Sequence, residues 1–445
     1  MRRAVVIGSG PNGLAAAVTL AKAGLAVEVV EAHREIGGGT RTAELTLPGF
    51  RHDVCAAIHP LARASPIFRE LAIDWVESPA ACAHPFDDGT AVTLERSVDE
   101  TAAQLSPDAP AYRRLVTPYV RAVERFLAGR LPLAMGFAAL GAARPLAEAR
   151  FAGERARGFF AGHAAHSILP LERPPSAGFG LALVALGHAV GWPFPKGGSS
   201  GLTQALAVRL RELGGAIRTD TLADHLPRAD LVLCDVVPRE LVRLCRGSLP
   251  AGYERRLLRY RHGPGAFKLD WALAGPIPWR AKACRRAATV HLGATLEEIA
   301  RSERDNDSAR PFVILAQHSL FDATRAPAGR HTAWAYCHVP NASTIDRVDA
   351  IEAQVERFAP GFRDLVLARS VRSPADLQAE NRNYLGGDIN GGVMDLGQLV
   401  VRPARVPYRT PLRGVYLCSA ATPPGGGVHG LCGLAAARLA LRDLG

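Results

Sequence analysis

The amino-terminal stretch constrains the chain most. Residues 4–7 (AVVI) form a short apolar run typical of a strand buried on both faces. Residues 14–23 have helical composition and stop at Gly24, and residues 26–30 repeat the apolar run and end in Glu31. Between the first strand and the helix lies Gly8-Ser9-Gly10-Pro11-Asn12-Gly13. Glycines at this spacing serve a tight turn, a close approach of backbone to ligand, and close packing of helix on strand. The helix N-terminus then offers free N–H groups and a positive dipole end to phosphate. A carboxylate eighteen residues after Gly13 can accept hydrogen bonds from ribose hydroxyls and disfavours a 2′-phosphate. Glycines alone would be weak evidence. Strand, glycines, helix, strand and acid in that order predict a dinucleotide-binding unit of an α/β fold.

The next segment narrows the ligand. After Glu31 and Ala32 comes Gly37-Gly38-Gly39-Thr40-Arg41-Thr42, a second flexible, donor-rich loop close to the same phosphates. It resembles the second fingerprint of flavin-dependent amine oxidases and phytoene desaturases, which implies FAD rather than NAD. At the far end, residues 414–421 (GVYLCSAA) are expected to form a strand and residues 431–444 a helix packed on it. The turn between them holds Gly425, Gly426, Gly427, Val428, His429 and Gly430. Its spacing repeats the dinucleotide pattern, but no strand and no ribose acid follow. The better expectation is a turn that, with Ala421, brings a helix N-terminus to a flavin ring. Its N–H groups and dipole would stabilise the negative charge of a reduced flavin. His429 fits a structural turn histidine better than a reacting one.

The cofactor fold is therefore expected in three pieces, residues 1–60, 195–245 and 395–445. The middle piece contributes a loop and helix from Lys196, a strand at 216–219 and a returning strand at 229–237. Residues 61–194, mainly helical, and 246–394, with candidate strands at 266–272, 312–317 and 332–338, would make a second α+β domain that roofs the cofactor with an apolar pocket. Few polar residues stand out there. Among Asp53, His59, His163, His166, Ser167, His188, Tyr384, Asp388 and Asn390, the weak catalytic candidates are His59, Tyr384, Asp388 and Asn390. The last two sit in a glycine-rich run, residues 385–392, whose backbone could approach a ligand. His163 and His166 are three apart on an expected helix face. With no third ligand at metal spacing, buried hydrogen-bonded histidines are favoured over a metal.

Composition excludes several classes. Eight cysteines lie scattered with no C-x-x-C pair, which points to reduced structural thiols and away from a zinc ribbon or a redox disulfide. The basic, apolar start is broken by glycine and proline too early for a signal peptide, and the apolar stretches 131–143 and 177–190 are too short to span a membrane, so a cytoplasmic protein is expected. The net charge of +11 comes from arginine. Residues 111–160 alone carry nine arginines against three glutamates beside the apolar LPLAMGFAAL. Without a recognised module or interleaved aromatics this is no nucleic-acid stripe; it suits a peripheral membrane contact or an ordinary solvated face.

The segments VIGSGPNGLAAA, GGGTRT, AGHAAHSILPL, GHAVGW, GPGAFKLDWAL, TVHLGATLEEIA, GGDINGG and YLCSAATPPGGGVHG together resemble the phytoene-dehydrogenase-like flavoproteins, in particular the branch called pyridine nucleotide-disulfide oxidoreductase domain-containing protein 2. The resemblance spans nearly the whole chain. It implies a glutathione-reductase-like or amine-oxidase-like fold with non-covalent FAD. The cofactor contacts it implies are Gly8, Gly10, Pro11, Asn12, Gly13, Glu31, Ala32, Gly38, Gly39, Thr40, Arg41, Ala421 and the turn from Gly425 to His429. Two departures stand out: relatives commonly insert a β-hairpin where TLADHLP leads directly to ADLVLCDVV, and many carry a histidine where this chain has Asp388-Ile389-Asn390-Gly391. The expected activity is hydride transfer from a largely apolar small molecule to the flavin, by a dehydrogenase, desaturase or oxidase. With no second nucleotide unit in the sequence, dioxygen or a quinone is expected as electron acceptor ahead of NAD(P). The alternatives are a redox-neutral isomerase on reduced flavin and a flavin-fold escort protein for lipid-like partners.

Overall fold

The computed structural model describes residues 1–127 and 137–445. The strands that build its two main sheets run, in chain order, β1 (Arg3–Ile7), β2 (Ala26–Val30), β3 (Ala80–Pro85), β4 (Ala91–Leu94), β5 (Ala216–Arg218), β6 (Leu231–Cys234), β7 (Gly265–Leu273), β8 (Ala287–Leu292), β9 (Val313–Ala316), β10 (His331–Val339), β11 (Val366–Arg372) and β12 (Val415–Leu417). The first sheet has the order β12-β6-β1-β2-β5 with every neighbouring pair parallel. Its strands AVVI, LVLC and VYL are apolar without alternation because both faces are covered. Helices α1 (Pro11–Lys22) and α6 (Leu431–Leu444) share one face through Leu14, Leu20, Ala436 and Ala440, while Leu241, Leu244 and Leu257 cover the other.

The strand order decides where a ligand can sit. From β1 the chain moves to β2 and β5 on one side, then returns to β6 and β12 on the other, so the carboxyl ends of β1 and β6 form a topological switch point. The loop 8–12 leaves β1 there and Asp235 leaves β6 beside it. The Gly13 N–H donates to Asp235 Oδ2 at 2.9 Å, and a Cβ on Gly13 would lie 2.1 Å from the carbonyl oxygen of Gly8. Any side chain at position 13 would therefore push α1 off the sheet. The helix starts at Pro11 rather than near residue 14, since proline at the first turn has no N–H to lose. The carboxyl strand is shorter than expected, Val415–Leu417, because from Ser419 onward the chain turns, with Thr422 N donating to the Ser419 carbonyl. The strand expected at 229–237 is likewise only Leu231–Cys234.

The second sheet, in the order β11-β7-β10-β9-β8-β3-β4, is antiparallel except for the β8–β3 pair. Strands β3 and β4 lie inside the stretch expected to be mainly helical. Their hairpin signal, Asp88-Gly89 between apolar runs, is plain in the sequence. One face of this sheet packs helix α5 (Val348–Phe358) through Ile351, Val355 and Phe358. The other packs helices α3 (Glu154–Ala164) and α4 (Ser176–Val190), where Phe159, Phe160 and Val184 meet Ile314. Fully burying such side chains stabilises the layer by about 1.5–3 kcal/mol each. Helix α4 is apolar nearly all round, and no described helix is long and apolar enough to cross a membrane. One of its sides instead joins the core, and the other faces a cavity.

Candidate active site

Both ends of the chain line one cavity of about 1190 Å³ between the two sheets. That exceeds the roughly 300–1,000 Å³ of a drug-sized ligand site. At one end, Gly8, Gly10, Pro11 and Asn12 curl under the N-terminus of α1. Glu31 stands beside them, its Oε2 accepting from Ser9 N–H at 2.8 Å and Ser9 Oγ at 2.6 Å, and its Oε1 accepting from His33 N–H at 2.8 Å. A carboxylate offers about four acceptor positions, so one remains for a ribose hydroxyl. Ala32, Gly38, Gly39, Thr40 and Arg41 close this end. Arg41 Nε donates to the Gly38 carbonyl at 3.0 Å and its Nη2 pairs with Glu380 at 3.3 Å, which fixes the loop. Asp235 also lines this end. Burial pushes its carboxyl up to about 7, against the pull of the Gly13 N–H, with Glu31 adding to the rise.

Ala421, Gly426, Gly427, Val428 and His429, leading into α6 where it packs on α1, form another part of the wall. His429 Nδ1 accepts from Leu431 N–H at 3.0 Å and its Nε2 lies 3.2 Å from the Gly425 carbonyl, so both nitrogens are spent on the turn. Burial lowers its pKa to about 4. Two residues expected at the ligand stand behind the wall. Gly13 gives its N–H to Asp235, and Gly425 packs on Met394 and Arg402. Arg402, which no local pattern in the sequence marks, is buried and clamps the turn to the glycine-rich run. Its Nη2 donates to the carbonyls of Gly391 and Ala420, both at 2.9 Å.

The catalytic candidates divide. His59, Tyr384 and Asn390 line the cavity. His59 Nε2 lies 2.7 Å from Ser199 Oγ, and burial lowers its pKa to about 3. Tyr384 packs beside Gly39 and Cys55, with burial raising its phenol well above the ordinary value. Asp388 is not in the cavity wall. It accepts from the N–H groups of Asn390, Gly263 and Gly392 and from His262, and so shapes the loop rather than meeting a ligand. The pair His163 and His166 is also not on one helix: α3 ends at Ala164, and His166 follows in a separate turn.

The remaining wall is largely apolar. Phe179, Leu183 and Leu186 come from α4, Ile314 from β9, and Trp334 and Tyr336 from β10. The last two are neighbours on one face of the strand, ring centroids 5.4 Å apart. His166 and Trp192 complete this region, with His166 Nε2 2.9 Å from His291 Nε2. The sequence names His166 but not its place, and it does not single out Trp192, Trp334 or Tyr336. Only the period-two spacing of the two strand aromatics marks them.

The residues present fit FAD. The cleft is lined both by a helix N-terminus, suited to a diphosphate, and by the 426–429 glycine turn. The close quarters at Gly10 are specific: a Cβ there would lie 2.9 Å from Asp235 Oδ2 and would fill the diphosphate end of the cradle.

Residues 6–72 match the family described as NAD(P)-binding Rossmann-like domain. Over 99% of its length the chain is 26% identical to pyridine nucleotide-disulfide oxidoreductase domain-containing protein 2 of Mus musculus, of which 93% is covered. It is 27% identical to phytoene dehydrogenase of Streptomyces griseus, over 83% of this chain and 78% of that one. A redesigned putrescine oxidase shares the fold with a TM-score of 0.64 at 18% identity, over 100% of this chain and 99% of that chain. All eight cysteines stand as free thiols, seven of them buried. Along most of its length the chain is thus similar in sequence to relatives named as oxidoreductases and dehydrogenases, and it shares the fold of a solved oxidase.

Proposed function

We propose that this protein binds FAD non-covalently along the cavity and removes a hydride equivalent from a largely apolar small molecule, as a dehydrogenase, desaturase or oxidase. The observation that carries the reading is the single cavity shared by the 8–12 loop, Glu31 and the 426–429 turn, which continues into an apolar chamber. Residues 1–60, 195–245 and 395–445 make the cofactor unit and residues 61–194 and 246–394 the substrate unit. Gly8, Gly10, Pro11, Asn12 and the 38–41 loop would hold the diphosphate, Glu31 and Ala32 the ribose, and Ala421 with Gly426 to Val428 the ring, His429 fastening the turn. Gly13 and Gly425 support these contacts from behind.

Bound there, the flavin supplies a two-electron acceptor. The protein's part is placement: Phe179, Leu186, Ile314, Trp334 and Tyr336 exclude water and fix an apolar substrate. Burial leaves His59 and Tyr384 uncharged near neutral pH, so neither is a ready ionic base. Hydride loss from an activated C–H suits such a chamber. Reoxidation by dioxygen or a quinone fits better than by NAD(P), since among the described residues the strand–glycine loop–helix–strand pattern of a dinucleotide unit is met once, by β1, α1 and β2. Helix α2 (Ala109–Leu127) lines the cavity with Tyr119, Ala122 and Val123 and carries Arg114, Arg121 and Arg125. An apolar substrate could thus arrive from an anionic membrane, although Arg113, Arg144, Arg155 and Arg157 are engaged with acids of the same chain, and residues 131–136 of the apolar neighbour lie outside the described residues.

The test is direct. Purified protein should be yellow and release intact FAD on heat denaturation, and an anaerobic panel of apolar substrates should bleach it where NADPH does not. Colourless protein that takes up no FAD would leave the escort reading standing; FAD that stays oxidised with every substrate, yet supports turnover once reduced, would mark an isomerase.

A further inference from the structure

Behind the apolar wall, three elements distant in sequence bring three metal-binding side chains to one buried point, with a fourth, His84, beside them. Cys82 and His84 come from β3, His163 from α3 and His291 from β8. Cys82 Sγ and one ring nitrogen each of His163 and His291 all lie within 4.8 Å of one another. A tetrahedral Zn²⁺ with ordinary bond lengths separates its ligand atoms by roughly 3.3–3.7 Å, so adjustments of about an ångström close the set.

The outer nitrogens are already anchored. His163 Nδ1 donates to the Phe159 carbonyl at 2.8 Å, His84 Nε2 to the Ala294 carbonyl at 2.8 Å, and His291 Nε2 meets His166 Nε2 at 2.9 Å. The inner nitrogens, His84 Nδ1, His163 Nε2 and His291 Nδ1, are buried and have no partner. Outer nitrogen on a carbonyl and inner lone pair aimed at a shared centre is the way ligating histidines are oriented. Gly162 keeps the space open: a Cβ there would stand 2.9 Å from His291 Nδ1 and 3.1 Å from His84 Nδ1.

We propose that Cys82, His163 and His291, with His84 as fourth donor, form a binding site for a divalent transition cation of the Zn²⁺ type. Three imidazoles and one thiolate are a borderline-soft set, and Zn²⁺ accepts it without redox chemistry. The Cys82 thiol loses its proton to solvent as the sulfur–metal bond forms. The ion ties α3 to the sheet, and through His291 it positions His166 at the cavity wall. The sequence offered only His163 and His166 at helical spacing. The remaining ligands come from strands more than a hundred residues apart in places, and no local pattern shows them.

Full-length, tag-free protein should carry close to one Zn²⁺ per chain by plasma mass spectrometry. Chelation should lower its melting temperature, and Co²⁺ loading should give ligand-field bands to the red of any flavin absorbance together with a thiolate-to-cobalt band. Cys82→Ser should abolish the thiolate band and weaken Zn²⁺ binding by more than the roughly 10–100-fold that an outer-shell change costs. Should that variant not fold, His163→Gln and the wild-type Co²⁺ spectrum carry the same test. Folded wild-type protein that holds no stoichiometric metal and gives no cobalt bands when titrated overturns the proposal in favour of a buried water.

Discussion

The two parts of the cavity are built on different principles. Its diphosphate end uses main chain: the 8–12 loop, the N-terminus of α1 and the 38–41 loop, with two carboxylates, Asp235 and Glu31, the latter already tied to three donors. Its substrate chamber uses side chains, delivered by α4, β9 and β10 from positions between 179 and 336. A site made of backbone tolerates few residues at each position, because any Cβ collides. A site made of apolar side chains tolerates many, provided volume is conserved. The first should therefore fail abruptly on substitution, and the second should change what it accepts.

Gly10→Val is the sharpest way to break the diphosphate end. Its Cβ would lie 2.9 Å from Asp235 Oδ2, and overpacking of this kind costs about 1–3 kcal/mol before the loss of cradle volume is counted. FAD content after gel filtration should fall at least about tenfold, with unchanged circular dichroism. Variant protein that keeps stoichiometric FAD would show that the backbone is not the critical surface. In the chamber, Trp334→Leu should leave FAD content intact while changing kcat/KM between two substrates of different length by roughly 10–200-fold, the scale on which apolar pockets discriminate. A parallel loss of cofactor would mean that the two parts are not separable.

The same contrast explains what the sequence discloses. The β1–α1–β2 unit is legible because glycine spacing, helix start and terminal acid are consecutive constraints on one stretch of backbone. The 426–429 turn is legible for the same reason. Trp192, Trp334 and Tyr336 are not, since an aromatic in a core strand and one facing a cavity leave the same local pattern. Asp388 shows the opposite error: a carboxylate in a glycine-rich loop suggests chemistry, yet it accepts three backbone N–H groups and is consumed in holding the loop. Arg402 is invisible for a related reason, as only the fold places carbonyls around it.

A finer division lies within the diphosphate end itself, where two acids have different duties. Glu31→Gln keeps the shape but removes the charge from hydrogen bonds to Ser9 and His33. Charged hydrogen bonds contribute about 1.5–3 kcal/mol and neutral ones about 1, so FAD affinity should fall by about tenfold in fluorescence titration. An unchanged affinity would remove Glu31 from the ribose.

Asp235 should act in the reverse direction and only above neutrality. Burial raises its carboxyl to about 7, so it is protonated below that pH and ionised above it. The neutral form is favoured in the folded chain. The stability this confers is complete below the ordinary carboxylate value of 3.8 and is lost as pH rises through about 7. Ligand binding follows the same sign, because an ionised Asp235 adds a second negative charge, beside Glu31, at the end meant for a diphosphate. A like charge there costs on the order of 1 kcal/mol, a few-fold in Kd. FAD affinity should therefore decline between pH 6 and 8, and Asp235→Asn, which keeps an acceptor for the Gly13 N–H, should flatten that profile and bind more tightly than wild type at the upper end. A profile equally steep in the variant would place the titrating group elsewhere and leave Asp235 a packing residue of the β1–α1 turn.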